Sequence, residues 1–274
     1  MQETVAFLNR NAEGDLLPFS VQQEAAARFS LHLGEVEEIA LAHDLLPGRY
    51  QRNRSMISIQ QQLSLLRSRV AVFGCGGLGG FIIEELARLG VGQITVVDPD
   101  VFKEHNLNRQ LLCTRELLGS KKVDAAALRV AAINPAVRVQ PFALAFDQDS
   151  SAELLQGVTV AADALDSIGV RLELAAACHK RHIPLVHGAI AGWSGHVAVQ
   201  YPGEDILQHL YGAKRTDHGV ERRLGNPSFT PAVIASLEVA EIVKILLGME
   251  PLRPRRYLAV DLYNLEFTEV FFPQ

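Results

Sequence analysis

Phe73-Gly74-Cys75-Gly76-Gly77-Leu78-Gly79-Gly80, FGCGGLGG, follows the apolar run RVAVF and precedes the helical pattern GGFIIEELARLG. A short buried strand, a glycine turn and a helix closed by Gly90 form one continuous reading. Glycines at 74, 76 and 79 permit positive φ and let backbone N–H groups approach a phosphate at the helix N-terminus. Asp98 ends the next strand, QITVVD, where an acid can take ribose hydroxyls. By themselves these features describe a dinucleotide-dependent oxidoreductase. The bland alternative is a tightly packed turn with no ligand.

Outward from this turn the pattern repeats. SKKVDAAALRVAAIN reads as a helix stopped by Asn134-Pro135, VRVQPFAL as a third strand and VTVAADALD as a fourth. VRLELAAACHKRH is a helix, IPLVHGAIAG a strand and SGHVAVQYPG an alternating strand. TPAVIASLEVAEIVKILLG is a strong helix, with Pro231 in its first turn and Gly248 as its stop. RRYLAVDLYNLEFTEVFF supplies one or two alternating strands, expected antiparallel at a sheet edge. Strands alternating with helices predict an α/β fold, a Rossmann-like doubly wound, mostly parallel sheet with antiparallel edge strands. Before it, mixed three- and four-residue spacing over 20–44 predicts one or two amphipathic helices, with another over 58–67. We divide the chain into an N-terminal helical extension, 1–48, and a nucleotide-binding domain, 49–274, containing a weakly patterned crossover loop at about 203–228.

With 274 residues, 48% hydrophobic, the chain can bury a large α/β core. A net charge of −5 makes a nucleic-acid partner an unpromising reading. Three scattered cysteines, 75, 113 and 178, suit a reducing cytoplasm. No apolar run reaches the roughly 20 residues of a membrane span, and the N-terminus lacks a basic-then-apolar leader pattern.

The stretch DPDVFKEHNLNRQLLCTRELLGSKK argues against redox chemistry. It puts Asn106, Arg109 and Lys122 just past the second strand. A triphosphate attacked at its α-phosphorus needs such cations, whereas a dinucleotide needs few. Asp166 in DALDS, with Asp163 three residues earlier, is a candidate Mg²⁺ ligand at a strand C-terminus.

GCGGLGG, VDPD, NLNRQ, GSKK, INP, DALDS and IPLVHGAI, preceded by GRYQRN, occur in the order and spacing of the MoeB/ThiF/HesA proteins, bacterial relatives of ubiquitin-activating enzymes. The chain resembles them closely over about 48–200 and moderately over the helix at 231–248. The resemblance implies an adenylyltransferase that binds ATP and Mg²⁺. Its acceptor would be the C-terminal glycine carboxylate of a small ubiquitin-like sulfur carrier ending in Gly-Gly. It implies that Gly74, Gly76, Gly77 and Gly79 cradle the phosphates, Asp98 holds the ribose, and Asn106, Arg109 and Lys122 contact the triphosphate. Asp166 would hold Mg²⁺, and Arg52 would reach the nucleotide of a partner subunit in a homodimer.

Two departures qualify this. Many members bind zinc through two Cys-x-x-Cys pairs, and this chain has none, so no thiolate zinc site is expected. The crossover loop also lacks a cysteine to carry a thioester or persulfide; Cys75 and Cys178 read as packing residues and Cys113 as the least poor nucleophile. Adenylation alone is expected, with sulfur brought by a separate donor protein. Histidines 187, 196, 209 and 218 read as ordinary loop and strand residues, and Trp193 as either core or the floor of an acceptor channel. Alternative acceptors are a peptide C-terminus or carbamoyl-threonine on tRNA; a non-catalytic nucleotide-binding module is a further alternative.

Overall fold

A computed structural model describes residues 1–212 and 224–272. The chain opens with α1 (Gln2–Asn11), β1 (Leu16–Leu17), α2 (Phe19–Phe29), α3 (Leu33–Ala42) and β2 (Leu46–Pro47), with a 3₁₀ turn over Gly48–Asn53. Then come α4 (Ile59–Arg67), β3 (Arg69–Phe73), α5 (Gly77–Leu89), β4 (Gln93–Val97), α6 (Lys122–Ile133) and β5 (Arg138–Phe142). The second half carries α7 (Ser151–Leu154), β6 (Val160–Asp163), α8 (Ile168–Lys180), β7 (Leu185–Ala191), β8 (Ser194–Gln200), α9 (Ile206–Tyr211), α10 (Phe229–Leu246), β9 (Arg256–Asp261) and β10 (Glu266–Phe271).

The main sheet runs β10-β9-β8-β7-β6-β3-β4-β5. From β7 to β5 its pairings are parallel, and from β7 outward to β10 they are antiparallel. Pro141, which has no N–H to donate, falls on edge strand β5. Along β3, Val70 and Val72 pack into the core under α5, α6 and α10, while Ala71 and Phe73 pack into the core under α8 and α9. Strand β3 is therefore apolar on both faces, as expected at the centre of a doubly wound sheet.

The stretch 20–44 holds two helices, α2 and α3, as expected, and a further helix, α1, precedes them. Leu8 of α1 is buried with Leu17, Ala25, Val36 and Ala40 in a core of their own. QETVAFLNRN is mostly polar, and burial of Leu8 in this core seats the helix. Glu37 ties the bundle to the domain: buried, it pairs with Arg49, which also donates to Asn134 Oδ1 at 2.8 Å. Burial outweighs Arg49 and Tyr50 and pushes the Glu37 carboxyl up to about 7. A second difference lies in the crossover region, where α9 interrupts the expected loop, anchored by buried Ile206, Leu207 and Tyr211.

Candidate functional site

The C-terminal ends of β3, β4, β6 and β7 open into a cavity of 620 Å³. On one side the chain leaves β3 at Gly74, whose φ of +97° and close approach to Ala164 O leave no room for a Cβ. The turn feeds α5, whose N-cap Gly76 contributes no side-chain cap, so the first backbone N–H groups of a 13-residue helix face the cavity. Gly74, Gly76 and Gly77 line it. Gly79 does not: a Cβ there would lie 1.8 Å from Gly74 O, so this glycine permits helix-on-turn packing instead.

Asp98, at the end of β4, is nearly buried and accepts the Cys75 N–H at 2.7 Å and the Asp100 N–H at 2.9 Å. Lys122, buried at the start of α6, lies 3.6 Å from Asp98 Oδ2 and 2.8 Å from Asp100 Oδ2. Only Lys122 of the lysine pair enters the cavity. Arg109 lines the same wall, donating to His105 O and Asn108 Oδ1 at 3.2 and 2.8 Å. No carboxylate pairs with it among the described residues, which leaves its charge available to an anion. Asp166 lines the cavity with an exposed carboxylate.

Two sequence-assigned residues stand elsewhere. Asn106, expected at the triphosphate, is buried outside the cavity lining, where its Oδ1 accepts the Lys103 N–H at 2.9 Å. It shapes the turn that presents Arg109. Arg52 is exposed on the 3₁₀ turn, away from this cavity.

The side-chain network of the far half of the cavity was not foreseen. Asp163, wholly buried, accepts the Leu165 N–H at 3.0 Å and contacts His187 Nδ1 at 2.8 Å. His187 Nε2 lies 3.0 Å from the Tyr211 hydroxyl and 3.2 Å from His196 Nε2, and Arg171 Nη1 donates to Tyr211 at 3.1 Å. Burial pushes the Asp163 carboxyl up, yet the Arg171 charge and the His187 hydrogen bond outweigh it and hold it below the usual carboxylate range. Burial lowers His187, against the pull of Asp163. Behind them, burial and the Asp163 charge keep the Glu238 carboxyl far above its ordinary value, and neither of its oxygens has a hydrogen-bond partner among the described residues. Buried His187 and half-buried His196 thus meet beside the cavity rather than standing as unrelated strand residues, while exposed His209 satisfies its Nδ1 on Asp205 O at 2.8 Å. His218 lies outside the described residues. The meeting was findable: a tight hairpin at Gly192-Trp193 sets His187 opposite Ala198 and His196 opposite Ala189, putting both histidines on one face. Trp193 itself is half exposed at that turn, 4.5 Å from the Phe229 ring centroid.

The ThiF family matches residues 50–273. The chain belongs to the ThiF family. It is 33% identical over 226 residues to the SAMP-activating enzyme E1 of Haloferax volcanii, covering 81% of this chain and 84% of that one. It is 31% identical to the molybdopterin-synthase adenylyltransferase of Salmonella typhimurium (80% and 90% covered) and 34% identical to the sulfur carrier protein adenylyltransferase of Thermus thermophilus (73% and 78%). Among solved structures, E. coli MccB with ATP superposes with a TM-score of 0.66 at 19% identity over 82% of this chain and 73% of that one, and PaaA with 0.68 at 21% over 81% and 72%. These last two likenesses establish the shared fold. The sequence resemblance to this family and the predicted sheet are both borne out.

Proposed function

We propose that this ThiF-family chain is an ATP-dependent adenylyltransferase whose acceptor is the C-terminal glycine carboxylate of a small ubiquitin-like sulfur carrier. The observation that carries the reading is the convergence of Arg109, Lys122 and Asp166 on the cavity entered by the α5 N-terminus. Relatives named as adenylyltransferases of sulfur carriers support it. Glycine-loop N–H groups hold phosphate oxygens, and Arg109 and Lys122 offset the charge that builds on the triphosphate during attack. The acceptor carboxylate oxygen bonds to the α-phosphorus, the bond to the bridging oxygen breaks, and pyrophosphate leaves with the electron pair. The product is an acyl-adenylate. Asp98 takes ribose hydroxyls by rearranging the two N–H contacts its carboxylate now accepts.

Asp166 suits Mg²⁺, because its carboxylate faces the cavity and forms no ion pair among the described residues. Mg²⁺ held by Asp166 and phosphate oxygens would neutralise charge on the triphosphate. The chain divides at about residue 48, supported by the family match from residue 50. Arg52, exposed beyond its own cavity, fits a homodimer in which it serves the partner's site. Sulfur comes from a separate donor protein, and the scattered, buried cysteines fit a cytoplasmic setting. No helix among the described residues is long and apolar enough to cross a membrane. ATP–pyrophosphate exchange with Gly-Gly carriers from the same genome tests the reading; activity dependent on one of them supports it, and absence with all of them alongside NADH binding overturns it.

A further inference from the structure

The nucleotide uses the loop half of the cavity, so an acceptor carboxylate must reach the α-phosphorus from the far half, between Ala189–Ala191 and Tyr211. Five side chains from separate elements meet there with a definite hydrogen-bond direction. An ionised Asp163 only accepts, so the proton on its 2.8 Å contact belongs to His187 Nδ1. His187 Nε2 is then an acceptor and receives the Tyr211 hydroxyl at 3.0 Å. The Tyr211 oxygen in turn accepts Arg171 Nη1–H at 3.1 Å and a His196 Nε2–H at 3.1 Å. Arg171 is itself fixed on Leu165 O. Every donor leads toward one buried anion, and the chain of contacts joins β6, β7, β8 and α8 to the last residue of α9.

We propose that Asp163, His187, Arg171 and Tyr211 are positioning residues for the acceptor, a hydrogen-bond chain that fixes α9 and His196 as the wall of the acceptor half of the cavity. The assignment rests on the adenylation reading. Tyr211 and His196 line the space directly; Asp163 and His187 act through them. With the proton on its Nε2, the His196 ring keeps Nδ1 as an acceptor, which matches an N–H of an extended peptide tail.

The test uses the full chain as Tyr211→Phe, which removes one hydroxyl and keeps the ring in its core. With the small Gly-Gly carrier that supports exchange in the parent, its KM rises about three- to tenfold, the range one hydrogen bond between buried groups carries. The Kd of a non-hydrolysable ATP analogue stays within about twofold by calorimetry, a split that a general loss of structure does not produce. His196→Gln moves the carrier KM in the same direction, and decides the matter should Tyr211→Phe fail to fold. An unchanged carrier KM, or an equal loss of analogue affinity, overturns the positioning role alone. A parent inactive with every carrier removes the adenylation reading and this role with it.

Discussion

The loop half of the cavity is built from backbone and from residues close in sequence, Gly74 to Lys122, while the far half is built from side chains of Asp163, Arg171, His187, His196 and Tyr211. Backbone construction tolerates no added atoms where chain crosses chain. Side-chain construction tolerates conservative exchange but depends on protonation. The two halves should therefore break in different ways: one sterically, the other with pH.

The largest effect belongs to the loop. Gly79→Ala puts a methyl 1.8 Å from Gly74 O, a backbone atom that cannot rotate away. We expect a loss of about 3 kcal/mol, the upper end of overpacking costs, read from urea unfolding. Gly77→Ala is the control, since its nearest contact would be an ordinary 3.5 Å to Pro231 Cβ, and it should fold normally. Equal stability of the two variants would show that the turn yields. Next come the charges. Arg109→Ala and Asp166→Ala each lower exchange about 10²- to 10³-fold, as loss of one group that stabilises the transition state does, with unfolding midpoints near the parent's. Full activity in both would remove this wall from the chemistry.

What the sequence could and could not disclose follows the same division. Gly74, Asp98, Arg109 and Lys122 were readable because each sits at a fixed distance along the chain from a strand end. Their burial was not: Lys122 was expected at the triphosphate, with no sign of its contacts with Asp98 and Asp100. Asn106 followed a motif whose position was right and whose direction was not legible. Asp163, His187 and Tyr211 lie 24 residues apart at each step and meet only after a crossover helix and a hairpin are folded. Helix α1 was not read from the sequence; it is short and mostly polar, and its Leu8 is buried against residues of α2 and α3. Local chemistry is written locally; assembled chemistry requires the topology.

The far half should show its dependence on protons. Burial lowers His187 in the folded chain, so the unfolded chain binds more protons through the range below its ordinary value near 6.5. Stability from this group is therefore present above about pH 6.5 and lost as pH falls, at no more than about 1.4 kcal/mol per pH unit for one proton. Asp163, also lowered, adds a loss in the same direction at lower pH, through the carboxylate range. His187→Asn retains a donor toward Asp163 and cannot titrate. Its unfolding midpoint should change less than the parent's between pH 7.5 and 5.5, while Gly77→Ala should follow the parent. Parallel pH curves for His187→Asn and parent would mean that His187 is not the proton-sensitive member of the network.

The smallest expected effect concerns sulfur, where the two halves should not differ at all. Cys75 lies in the glycine loop, Cys113 in the core beneath α5, and Cys178 in the core on the opposite face of the sheet. Burial, with Asp98 adding to it, holds Cys75 well above the ordinary thiol range; burial and then Asp163 push Cys178 up to about 12. Cys113 is the most accessible at 8%, and Lys122 pulls its thiol down, yet burial prevails and the net shift is upward. A raised thiol is mostly protonated at neutral pH, and the protonated form attacks neither an acyl-adenylate nor a persulfide. Cys113→Ala should therefore leave carrier-dependent exchange within about twofold of the parent, and intact-protein mass spectrometry should detect no carrier adduct on either chain. An adduct present on the parent and absent from Cys113→Ala would make this cysteine a covalent way-station, and would place the transfer step on the loop side of the cavity rather than with a separate donor.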